Sequence, residues 1–168
     1  MFLRNNCLRC RDMKEKVGVV YDSSARGVDI VSILVSRLPL SQEHVRPVSD
    51  VSVGWLRSYE VLMLVSSYWS DMFLPCEWHK FFTKIGVWTF SGRTVVPVST
   101  SVPLSVSIAP ALRRIFAPVC VRIISPVEVF FIPEGHFAEA GNLDGATRQV
   151  DEWLTVFCSY GQPADESY

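Results

Sequence analysis

The feature that most constrains the fold is a repeated alternation between short apolar runs and segments with helical apolar spacing. Val17 to Tyr21 is rich in β-branched residues without polar alternation, which is typical of a central strand covered on both faces. Between 28 and 38, apolar residues recur at three- and four-residue steps, which indicates one face of a helix that Pro39 ends. Because the alternation occurs about five times, the sequence predicts an α/β protein with a parallel sheet and helices on both faces.

The remaining elements follow from the same two patterns. Pro47 interrupts a short apolar run, and an edge strand tolerates proline best. Asp71 and Gly86 are suitable start and stop residues for a strongly periodic helix between them. The predicted domain covers 17–161, between tails at 1–16 and 162–168. The further strands are predicted at 45–48, 61–65, 94–99 and, broken at Ser125-Pro126, 121–132, and the further helices lie near 71–85, 107–117 and 144–160.

Composition limits the class of protein. The chain has 168 residues, 49% of them hydrophobic and 20% charged, which fits one globular domain. A net charge of -1 without a long basic run argues against a non-specific nucleic-acid binder. The sequence contains neither a run of apolar residues long enough for a membrane span nor a signal-peptide pattern. We therefore expect a cytoplasmic protein that binds no nucleic acid and no membrane.

The cysteine pattern favours neither a disulfide framework nor a metal site. Five cysteines are an odd number, so we expect reduced thiols. Cys7 and Cys10 have the spacing of a metal or redox pair, but no second pair follows at ligand spacing, so we interpret them as incidental thiols in the tail. Cys76 and Cys120 are predicted to be small buried residues.

The loops that follow the strands are the candidate site, because ligands of open parallel sheets bind outside the carboxyl ends of the strands. These loops are 22–27, 66–71 and 99–105. The sequence has no G-x-G-x-x-G after the first strand, no G-x-x-x-x-G-K-[ST] and no G-x-S-x-G. Dinucleotide-binding, P-loop and α/β-hydrolase functions therefore lose support.

The first loop carries groups that suit an anion. The hydroxyls of Ser23 and Ser24, with Arg26, lie at the start of a predicted helix, where free amide groups and the helix dipole favour negative charge. A monophosphate fits such a turn. The alternative is that one serine only caps the helix. The carboxylate of Asp22 would repel a phosphate unless it is turned away.

The second loop places Tyr68 and Trp69 directly after a buried strand. Aromatic rings at that edge can stack on a planar ring system. The same two residues can equally cover the core or form an interface with a partner.

Three segments resemble the NADPH-dependent FMN reductase family, the flavodoxin-like quinone and azo reductases. The segment 90–99 is similar to that family's Gly-Lys turn and fourth strand, with Arg93 in place of the lysine. The segment 111–115 resembles its Leu-Arg helix, and 137–144 resembles its closing segment. The resemblance covers about 17–160 and implies a flavodoxin-like three-layer sandwich with a five-stranded parallel sheet.

The resemblance also implies a function. It suggests a homo-oligomeric reductase that holds FMN and passes hydride from NADPH to a quinone, a flavin or a similar small acceptor, with no catalytic side chain of its own because the flavin carries the chemistry. By that resemblance, the phosphate would be held by Ser23, Ser24 and Arg26, and the ring would be bordered by Ser67, Tyr68, Trp69, Ser99, Thr100 and Ser101.

A second hypothesis is a flavodoxin-like domain that has lost the flavin and serves as a binding or assembly module. The first loop lacks the family's Asn, 66–69 keeps only the Tyr of its Pro-Glu-Tyr-Asn, and 101–104 replaces its glycines. Tyr68, Trp69 and Trp78 would then form an aromatic surface for a partner.

Overall fold

The computed structural model describes residues 17–23, 25–38, 40–66, 75–99, 108–123 and 151–152. Within them, the strands are β1 (Val17–Tyr21), β2 (Val45–Pro47), β3 (Val61–Ser66), β4 (Thr94–Ser99) and β5 (Arg122–Ile123). These five parallel strands form one sheet with the order β2-β1-β3-β4-β5. This is the parallel sheet that the alternating sequence pattern predicts.

Helices cover both faces of the sheet, which confirms the three-layer prediction. The α-helices in the described part of the chain are α1 (Ala25–Arg37), α2 (Val53–Arg57), α3 (Cys76–Ile85) and α4 (Ile108–Ile115). Helix α1 packs on one face with side chains such as Val19 and Met63, and its last residue, Arg37, forms an ion pair with Asp151 at 3.1 Å. The other face carries α2, α3 and α4 and is rich in aromatic rings, which pack edge to face and tilted around Phe82 and Phe90.

Local chemistry explains where several elements begin and end. The Ser52 side chain accepts a hydrogen bond from the Trp55 amide and caps α2. Helix α3 ends at Gly86, whose φ of 78° suits glycine, as the sequence predicts. Pro47 is the last residue of β2, which is an edge strand. Asp71, the predicted start of α3, lies outside the described residues.

Two predictions on cysteines differ from the structure. Cys76 begins α3 and Cys120 precedes β5, and both are exposed, although both were expected to be buried. Each lies at the end of a connecting segment, where the chain is open to solvent, so the small apolar character of cysteine does not decide its burial. Within the described residues, no group of His, Cys, Asp and Glu could hold a metal ion. None of the described helices has both the length and the apolar character to cross a membrane.

A tight aromatic contact lies at the amino edge of the sheet, before the strands begin. The ring of Tyr59 packs against Trp55 with 4.5 Å between ring centroids and covers Gly18 of β1. The Tyr59 hydroxyl donates to the Glu43 carbonyl at 3.3 Å. Burial raises the pKa of the Tyr59 phenol above 10.0, the Glu43 charge adds to this rise and the Arg46 charge opposes it.

Arg93 connects several segments at the amino edge of the sheet by hydrogen bonds. It follows a short 3-10 helix, Val87–Phe90, and the turn after it. In the described part of the chain, the hydrogen bonds of its guanidinium all go to backbone carbonyls. Some of these carbonyls belong to the end of α2, where a cation interacts well with the helix dipole. The acceptors are Leu56, Tyr59, Thr89, Ser91 and Arg57, at 2.9–3.3 Å.

We predict that Arg93→Ala lowers the free energy of unfolding by about 1.5 kcal/mol, because carbonyls at the end of α2 lose their donor. Arg93→Lys should recover part of this loss, since an ammonium cannot present the planar fork of the guanidinium. Urea unfolding measures the change. Arg113→Ala, an exposed arginine in the last turn of α4, is the control and should leave the stability within about 0.5 kcal/mol.

Candidate functional site

The candidate site lies at the carboxyl edge of the sheet, between β1 and β3. The strand order reverses at this pair: β2, which follows β1 in the chain, lies on one side of β1, and β3 and the later strands lie on the other side. The last paired residues are Tyr21 and Val65, and the chain leaves β1 toward α1 on one face and β3 toward α3 on the other. Such a divergence opens the crevice in which open α/β sheets bind ligands.

Asp22, the first residue after β1, is turned inward. Its side chain is buried, with 4% of the residue exposed, and its amide donates to the Val65 carbonyl at 3.2 Å. The carboxylate accepts a hydrogen bond from the Trp78 indole N–H at 3.1 Å and another from the Ser66 hydroxyl. Donors from β3 and α3 therefore hold the Asp22 carboxylate inward, directly before Ser23 in the chain.

Ser23 presents two donors that meet one carboxylate. Its backbone amide donates to Oε2 of Glu77 at 3.0 Å, and its hydroxyl donates to Oε1 of the same group. Glu77 lies in the first turn of α3 and is half-buried, whereas Ser23 is exposed. The amide and the hydroxyl of Ser23 thus bind an anion at two points, and this anion is the side-chain carboxylate of Glu77.

The structure brings together part of the predicted site. Arg26 is the second residue of α1, and Ser99 is the last residue of β4, paired with Ser66. Their backbones therefore lie at the predicted edge, as does that of Ser23. The other predicted site residues lie outside the described part of the chain: Ser24, Ser67, Tyr68, Trp69, Thr100 and Ser101.

Sequence reasoning missed the groups that organise the described part of this site. Glu77 and Trp78 are consecutive residues of α3, and one faces Ser23 while the other faces Asp22. The sequence did contain a signal for Glu77. The helix that follows β3 begins at the same edge of the sheet as the serine-rich loop, so an acidic residue in its first turn lies near that loop. Trp78 is fully buried, so it cannot belong to the aromatic surface that the second hypothesis expected.

Comparison with solved structures identifies the architecture. A Fusobacterium nucleatum flavodoxin bound to flavin mononucleotide superposes with a TM-score of 0.57 at 15% identity, covering 88% of this chain and 99% of that one. The chain has the flavodoxin-like fold. Oxidised flavodoxin 2 from Bacillus cereus gives 0.57 at 15% identity, covering 83% and 98%. A flavodoxin from the domain Archaea gives 0.52 at 17%, covering 83% and 99%.

The sequence itself gives no comparable match: no family model and no curated protein matches it. The arrangement of strands and helices therefore shows the flavodoxin-like architecture. It does not distinguish the families that share this architecture, so that distinction depends on the residues of the site.

Proposed function

We propose that this chain binds FMN in the crevice between β1 and β3 and acts as an electron-transfer flavoprotein. The observation that carries the proposal is the pair of Ser23 donors, which already hold one carboxylate at two points. A phosphate monoester presents oxygens of the same kind to such donors, so the described residues fit this group once Glu77 moves aside. The flavodoxin-like fold and the FMN-bound neighbour add support.

The chain's own residues have a binding role in this proposal. The amide and hydroxyl of Ser23 would hold the phosphate, with Ser24 and Arg26 next to them in sequence. By the resemblance, the ring would be bordered by Ser67, Tyr68, Trp69 and 99–101. Bound flavin supplies the hydride and electron chemistry, so the protein contributes orientation and electrostatics and needs no acid or base side chain.

The finer proposal concerns the reaction. We propose NADPH or NADH as the hydride donor and a quinone, a flavin or a similar small molecule as the acceptor, in a cytoplasmic homo-oligomer. This part rests on the resemblance of 90–99, 111–115 and 137–144 to FMN reductases. Consumption of NADPH by the FMN-loaded protein with menadione as acceptor, measured by absorbance, tests it separately from FMN binding.

FMN titration of the purified protein, followed by quenching of flavin fluorescence, tests the cofactor proposal. We expect saturable binding, and Ser23→Ala should weaken it about tenfold because a hydrogen bond to a charged group is lost. Ser58→Ala is the control, since Ser58 precedes β3 and lies at the opposite edge. A protein that binds no added FMN, or a Ser23→Ala variant that binds it as well as wild type, would contradict the proposal.

A second candidate function is a flavin-free binding or assembly module. The observation that favours it is that Glu77 already occupies both Ser23 donors. In addition, the buried carboxylate of Asp22 directly precedes Ser23 in the chain. This function predicts a colourless protein and an oligomer or complex that covers the crevice. Light scattering together with crosslinking near the crevice distinguishes it from the flavoprotein.

A further inference from the structure

The contact between Ser23 and Glu77 has a direct effect on ligand choice. The Ser23 amide has one hydrogen and its hydroxyl has one, and both are directed to the two oxygens of the Glu77 carboxylate. An external anion can use these donors only when the carboxylate leaves them. Binding of a phosphate at this point is therefore an exchange of one anion for another.

The carboxylate of Asp22, next to Ser23 in the chain, makes the replacement of Glu77 by a phosphate less favourable. Asp22 precedes Ser23, and its buried carboxylate is held by the Trp78 indole N–H at 3.1 Å and by the Ser66 hydroxyl. A phosphate on Ser23 would meet this fixed negative charge as well as the displaced Glu77. A flavin without a phosphate meets neither cost, because like-charge repulsion acts only on the charged ligand.

We infer that Glu77 is a specificity-determining residue: its carboxylate competes with the flavin phosphate for the two Ser23 donors and so reduces the preference for FMN over riboflavin. The inference rests on the proposed function, because it concerns the same flavin site. It assigns Glu77 a role in selecting the ligand, whereas Ser23 binds whichever anion is present.

The test compares FMN with riboflavin in three proteins: wild type, Glu77→Gln and Glu77→Ala. Glutamine removes the charge and keeps one acceptor for Ser23, and alanine removes both. We expect FMN affinity to rise in that order, by at least about tenfold from wild type to Glu77→Ala, while riboflavin affinity stays the same. Equal FMN affinities in all three proteins, or a rise that riboflavin shares, would overturn the inference.

A second measurement keeps the inference separate from the proposed function. Inorganic phosphate is titrated into the same proteins, and the Ser23 amide is followed by NMR. We expect a saturable shift at lower phosphate concentration in Glu77→Ala than in wild type. If no flavin binds to any of the proteins, the proposed function fails, and the Ser23 shift still decides whether Glu77 competes with a phosphate for the Ser23 donors: a Ser23 amide of Glu77→Ala that does not respond to phosphate refutes that competition.

The matched control is Glu43→Gln, which removes an exposed glutamate that precedes β2 and so lies at the amino edge of the sheet. It makes the same change in net charge as Glu77→Gln at a distance from Ser23. We expect it to leave the ratio of FMN to riboflavin affinity unchanged. A Glu43→Gln protein with the same gain in FMN affinity would show that net charge, and not the contact with Ser23, sets the preference.

Discussion

Replacing Trp78 with alanine is expected to lower the free energy of unfolding by about 3–5 kcal/mol, the range for truncating a large aromatic side chain in a core. Trp78 is fully buried and packs against Phe81 and Phe82 with ring centroids 5.5 and 5.9 Å away. Its loss also removes the indole donor from the buried Asp22 carboxylate. Urea unfolding followed by circular dichroism measures the change.

Two further tryptophan variants separate packing from hydrogen bonding. Trp78→Phe keeps most of the apolar volume and removes the indole N–H, so we expect a smaller loss of about 1.5–3 kcal/mol. Trp88→Ala is the matched control, because Trp88 is 69% exposed and should change the stability by less than about 0.5 kcal/mol. A Trp78→Ala protein as stable as Trp88→Ala would contradict the packing that the structure shows.

Gly18→Ala is expected to cost about 2–3 kcal/mol, although it adds only one methyl group. A Cβ at Gly18 would lie 2.8 Å from Cδ2 and 2.9 Å from Cγ of Tyr59, and 3.1 Å from Cη2 of Trp55. The Tyr59 ring cannot easily yield, since it also packs on Trp55 and its hydroxyl is hydrogen-bonded to the Glu43 carbonyl. Thermal unfolding of the variant and of wild type measures the cost.

The same substitution at Gly54 provides the control. Gly54 lies in α2, and the nearest atom to an added Cβ is the Ser52 hydroxyl oxygen at 4.0 Å. Gly54→Ala should raise the stability by up to about 1 kcal/mol, because alanine is the better helix former. If both alanine variants shift the stability in the same direction, the close contact at Gly18 is not what limits that position.

The sheet could be predicted from the sequence because its signals are local. The apolar run of β3 and the three- and four-residue spacing in α3 are properties of a few neighbouring residues, and both are confirmed. Pro47 likewise indicated an edge strand, and β2 is one. The exposure of Cys76 and Cys120 could not be predicted this way, because it depends on what covers the end of each element.

The candidate site was predictable in place but not in its contacts. The parallel sheet puts the end of β1 at the ligand-binding edge, so Ser23 was identified from its position after the strand. Its partner Glu77 is 54 positions away in the chain, and Trp78 is 56 positions from Asp22. Periodicity states which residues face the core, but it does not state which polar groups meet. The sequence did not predict which way the Asp22 side chain points. The structure shows that it points to buried donors on β3 and α3.

The adjacency of Glu77 and Trp78 on α3 limits how the Glu77 carboxylate could leave Ser23 if a ligand displaced it. The Trp78 indole is fixed in the core by its hydrogen bond to Asp22, so the start of α3 cannot withdraw from Ser23 without breaking a buried contact. Release of the Ser23 donors must then come from rotation of the Glu77 side chain while the helix stays in place. Such rotations are far faster than the collective movement of a helix, so the site would respond to a ligand without any rearrangement of the fold.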